Sequence, residues 1–144
     1  MQDRPEAPDL LDAVAELLIK EILPLVQTHG DDLTAYKTLV SWNMLGVVAR
    51  ELRNGEELLN DELARLKNLP ELAAFFAKSN AQPGDAGAVS YRAKLARVRE
   101  CTQALADTIR EKKIGPENKA LWEHARQTVL EKLAVSNPRY STND

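Results

Sequence analysis

Apolar residues recur along the chain at spacings of three and four and nowhere alternate, so the pattern predicts helices and no strands. Leu10, Leu11, Val14, Leu17, Leu18 and Ile22 form the first stripe, entered through Pro8, which suits a first helical turn. Residues 1–8 form an arm before it, and Asp9 and Asp12 lie near the positive end of the helix dipole. Pro24 should kink or end this helix, and Gly30 closes the connection. Asp31 and Asp32 then offer caps for a second helix, from near Leu33 to about Arg53, which Asn54-Gly55 should stop.

Within that second helix, Leu39 to Leu52 carries no charge before Arg50, and its apolar residues point to every side. Such a helix should be surrounded by other elements, and it is too short to span a bilayer. A third segment, 56–68, places Leu58, Leu59, Leu63 and Leu66 on one face, and Pro70 starts a short helix with Leu72, Phe75 and Phe76. Residues 79–87 read as a mobile loop. Tyr91, Leu95, Val98, Thr102, Leu105 and Ile109 make the next stripe, with a stop and restart at Gly115-Pro116. The last helix should turn Leu121, Trp122, Ala125, Val129, Leu130 and Leu133 inward and end before Asn137-Pro138, leaving 136–144 as a tail. The expectation is an all-α, single-domain bundle of five or six helices around a central apolar helix over about 33–53.

Composition agrees with helix: aromatic residues make up 5% of the 144-residue chain, while Leu, Ala, Glu, Lys and Arg dominate. The net charge of −3 gives the whole chain no electrostatic pull toward nucleic acid. That charge is unevenly spread, −5 over residues 1–40 and +4 over 88–113, so an acidic first helix and a basic later one could attract each other within the fold or between subunits. A single cysteine, Cys101, excludes an internal disulfide and any cysteine-based metal cluster. With no signal-peptide pattern and no apolar run of membrane length, a cytoplasmic location and no membrane contact are expected.

Catalytic patterns are absent. Neither His29 nor His124 has a second histidine or cysteine three or four residues away, and the Glu-x-x-His element of carboxylate-bridged helical metal sites does not occur. No phosphate-binding glycine loop and no Ser-x-x-Lys or Gly-x-Ser-x-Gly nucleophile motif is present. Cys101 falls near an apolar stripe, as a buried structural thiol would, and His124 should simply be exposed. No cofactor, metal or catalytic residue is therefore expected.

Two groups of residues remain as candidates for contact. Arg92, Lys94, Arg97 and Arg99 could meet phosphates from one helix face, although Glu100, Asp107 and Glu111 dilute them and a solvated face explains them as well. Gly46 and Asn43 are the odd members of the central helix. The glycine costs about 1 kcal/mol relative to Ala and points to a close helix crossing. The Asn43 amide needs partners if buried, and it could line a pocket with Trp42 and Met44. Arg50 is the first charge of the same stretch. At the end of the chain, Pro138 stops the last helix, and Arg139 with Tyr140 can fold back onto the bundle or meet a partner.

Three segments together carry a family resemblance: Arg4-Pro5 with Leu10 to Leu18, Asn43 to Leu52, and Leu130 to Ser141. They resemble a bacterial family of small uncharacterised proteins, a domain of unknown function, often encoded beside aminoglycoside-phosphotransferase-like kinases and acyl-CoA dehydrogenases. The resemblance covers roughly residues 4–26, 36–67 and 101–141. It implies no established activity and no catalytic residues. What it implies about partners is an accessory role, binding such a kinase or serving acyl-CoA metabolism. The resulting expectation is a non-enzymatic interaction protein that could pair as a homodimer. A DNA-binding regulator using residues 88–113 and a small-molecule or acyl-chain binder stand as the alternatives.

Overall fold

The computed structural model describes residues 4–79 and 90–140. Among them the fold is all-α, as expected, with no strand. Helix α1 (Ala7–Leu17) passes through a π-helical turn, Leu18–Ile22, into α2 (Leu23–His29). Helix α3 spans Asp32–Lys67, and a 3-10 turn, Pro70–Leu72, leads into α4 (Ala73–Ser79). Helices α5 (Tyr91–Lys112) and α6 (Lys119–Ser136) complete the order. The loop expected at 79–87 falls, beyond Ser79, outside the described residues.

Three boundaries differ from the sequence expectation. Pro24 neither ends nor interrupts the helical run. It stands in the first turn of α2, directly after the π turn, whose wider ring relieves the clash a proline makes with the carbonyl four residues earlier. Asn54-Gly55 does not stop α3, which continues without a break as one 36-residue helix. One glycine costs only about 1 kcal/mol in a helix interior, and strong formers on both sides outweigh it. Helix α5 closes at Lys113 rather than at Gly115, with Lys113 in the left-handed conformation (φ 50°) and its N–H donating to the Arg110 carbonyl. Asn118 caps α6: its Oδ1 accepts the Leu121 N–H at 3.1 Å while its Nδ2 donates to Glu71 at 2.7 Å.

The contacts divide the chain into two compact units, residues 1–55 with 134–144, and residues 56–133. The second unit holds a core of Leu59, Leu66, Leu69, Leu72, Val98, Cys101, Leu105 and Leu121, against which Phe75, Phe76 and Leu95 pack. Cys101 is fully buried, and that burial pushes its thiol pKa up, so the thiolate is disfavoured. In the first unit burial is sparse: Ala15, Leu23 and Ala49 are its buried hydrophobic residues, with Leu11, Leu18, Ile22 and Leu45 half-buried.

Candidate functional site

The side chains of α3 in the first unit divide between two faces. Trp42, Asn43, Gly46 and Arg50 fall on one side of the helix by its 100° turn per residue. Leu33, Val40, Met44 and Val48 fall on the opposite side, flanked by Tyr36 and Leu52, and all six are exposed. Tyr36 and Met44 are 64% and 61% exposed. The expectation that other elements surround the central stretch is therefore wrong. The chain covers α3 on the Leu45 and Ala49 side and leaves the rest of its apolar circumference open. Helix α1 divides the same way. Leu11, Ala15 and Leu18 face inward, whereas Leu10, Val14 and Leu17, expected in the same stripe, are exposed.

On the covered side of α3 lies a cleft of about 480 Å³, lined from α1 and the π turn, from α3, and from residues 137–139. It brings together four of the five residues singled out in the sequence as pocket or partner contacts, Trp42, Asn43, Arg50 and Arg139. Tyr140 is not among the lining residues and is 59% exposed, so it does not dock on the helices. Arg50 is held from behind: its Nε donates to the Val135 carbonyl at 2.7 Å, one of the carbonyls that a helix end leaves without a partner. Gly46 makes room for that guanidinium. A Cβ on Gly46 would stand 3.1 Å from Arg50 Nη1, so this glycine serves its own helix neighbour and not a helix crossing. The Arg139 guanidinium lies over the Trp42 ring, 5.4 Å from its centroid, a cation–π contact. Asn43 is exposed at the rim, which answers whether it needs a buried partner.

Sequence reasoning missed the α1 side of the cleft. Asp12, Glu16, Ile19 and Lys20 line it, and their spacings of three and four on one helix face were the available signal. Both acids are already engaged. Arg53 bridges Asp12 at 2.6 Å and Asp9 at 3.0 Å, and Glu16 pairs with Lys20. The acidic first helix thus meets α3. At the start of α3, Asp31 accepts from the Thr34 hydroxyl and N–H, which lowers its pKa.

The four basic residues of α5 do not act as one face. Lys94 pairs with Glu56 at 2.6 Å, and Arg97 pairs with Glu100 and lies over the Phe75 and Phe76 rings at 5.0 and 5.6 Å. Arg92 and Arg99 are exposed on another side of the helix. Helix α6 also differs from expectation. Leu121 is buried, but Trp122 is 65% exposed and Val129 and Ala125 face out, because the inward side carries polar residues instead. There Arg65 makes a bidentate pair with Glu131 at 2.7 and 2.5 Å, and Gln127 donates to the same carboxylate. His124, expected in solvent, is half-buried with its Nδ1 enclosed, and burial followed by the nearby Arg65 charge lowers its pKa. Among the described residues no cluster of three His, Cys, Asp or Glu side chains could hold a metal ion, and no helix is long and apolar enough to cross a membrane.

The model of one family, a domain of unknown function designated DUF6285, matches residues 28–140. The chain belongs to the DUF6285 family. The match takes in α3, with both its exposed row and its contribution to the cleft, and ends one residue beyond Arg139. No curated protein and no solved structure matches the chain. DUF6285 carries no assigned activity, so the function of the chain is unknown beyond what its surfaces support.

Proposed function

We propose that this chain is a non-enzymatic, cytoplasmic interaction protein that docks a partner on the exposed apolar row of α3. The row itself carries the proposal. Leu33, Val40, Met44 and Val48 share one exposed helix face with Tyr36 and Leu52 at its edges, the pattern of a helix that inserts into or receives an apolar partner. Each is more than a third exposed, and an exposed apolar surface of neighbouring side chains on a monomer is often a functional one. Leu10, Val14 and Leu17 on α1 add further exposed apolar surface in the same unit.

For the partner we propose an aminoglycoside-phosphotransferase-like kinase or an acyl-CoA dehydrogenase, the enzymes that the sequence resemblance associates with bacterial chains of this kind. The division of the basic residues on α5 between ion pairs, ring contacts and separate faces favours this over a nucleic-acid partner. Co-expression with each enzyme tests the proposal: co-elution that survives moderate salt is expected, because apolar contacts are not screened. Failure of both enzymes to co-elute, with a mass in light scattering of twice the chain, would overturn the enzyme partner and put a second copy on the row.

A further inference from the structure

The cleft lies on the opposite side of α3 from Val40, Met44 and Val48, so the two surfaces can be tested separately. Its volume of about 480 Å³ is in the range of small-molecule sites. Ala15, Ile19, Trp42 and Pro138 supply an apolar lining. The charges around it are unevenly satisfied. Asp12 and Glu16 each have a cation, Arg53 and Lys20. Among the described residues, Arg50 and Arg139 have no carboxylate within ion-pair distance. Two cationic forks therefore line a cleft whose anionic side chains are already occupied.

Both arginines are positioned for a ligand. The Val135 carbonyl takes Arg50 Nε, fixing the plane of the guanidinium, and Gly46 leaves the space in which its Nη1 edge lies. Arg139 rests on the Trp42 face, which orients it while leaving its N–H edge for in-plane acceptors. A planar guanidinium matches the paired oxygens of a carboxylate or a phosphate, and the neighbouring apolar wall suits a hydrocarbon body. We infer that this cleft binds a small organic anion, a carboxylate or phosphate monoester with an apolar body, through Arg50 and Arg139.

The test uses the full chain carrying Trp122→Phe, so that Trp42 is the only indole and reports on the cleft by fluorescence. Benzoate and phenyl phosphate are titrated as probes, with benzyl alcohol as the uncharged comparison. Saturable change with either anion is expected, at least about tenfold tighter than with benzyl alcohol, and the tighter anion assigns the headgroup. Arg139→Ala should weaken that binding by about tenfold or more, and Arg50→Ala likewise, while Arg92→Ala leaves it unchanged. Among the described residues Arg139 makes no backbone hydrogen bond through its side chain, so its variant keeps the test decisive even if Arg50→Ala fails to fold. No saturable binding by either anion, equal binding of benzyl alcohol, or unchanged affinity in Arg139→Ala would overturn the inference.

Discussion

Leu66 and Leu52 sit on the same helix, yet Leu66 is wholly enclosed and Leu52 is more than half exposed. The same contrast runs through the two units that α3 supplies. Residues 56–133 close a core of eight buried residues and satisfy an Arg65–Glu131 pair inside it. Residues 1–55 bury few hydrophobic side chains and leave rows of Leu, Val, Met and Tyr in water. Burial of a large aliphatic side chain is worth about 1.5–3 kcal/mol, so the first unit leaves that stabilisation unused. The second unit closes a core of its own, and the first leaves open the apolar surface on which the proposed partner would dock.

The sharpest way to break this comparison is to truncate one apolar side chain in each region. Leu66→Ala should cost about 3 kcal/mol, read as a lowered denaturant midpoint, because it opens a cavity in a closed core. Met44→Ala should cost less than about 0.5 kcal/mol in the isolated chain, because the side chain it removes is already in solvent. Equal losses would show that the row on α3 is part of a core. Next in size is Glu131→Gln. Its carboxylate is mostly shielded and pairs in a fork with Arg65, so the variant should lose about 2 kcal/mol in the same denaturation measurement.

A smaller effect comes from His124. Its folded-state pKa lies below the ordinary 6.5, so the unfolded chain takes up the proton first as pH falls. This contribution to stability is complete above about pH 7 and is lost progressively as pH drops through 6.5 toward the folded value. Melting temperature followed from about pH 7.5 to 5.5 should decline more in the wild type than in His124→Leu. Parallel profiles would show that His124 is not enclosed.

Helical class, most helix centres and the inward positions of Leu66, Leu72, Val98 and Leu105 were legible from periodicity, because each satisfies a three-and-four pattern next to a strong punctuation signal. The errors share a physical cause. Periodicity reports which residues are apolar, but not whether the chain itself supplies the surface that covers them, so Met44, Val48, Trp122 and Val129 read as core. Conversely, His124 reads as surface because its polar character hides that it lies half-buried beside Arg65. Punctuation was overweighted where neighbours compensate, as at Pro24 after the π turn and at Gly55 within α3. Of the cleft, Trp42, Asn43, Arg50 and Arg139 were visible as oddities, whereas Asp12, Glu16 and Lys20 showed only a shared face of α1, and periodicity does not say what that face meets.

The exposed row as a docking surface is tested most directly by placing charge in it without disturbing the fold. Met44→Glu with Val48→Glu, co-expressed with the proposed kinase or dehydrogenase, should keep the melting temperature of the wild type and lose the co-eluting enzyme. Co-elution undiminished in that double variant would contradict the assignment of α3 as the partner-facing helix.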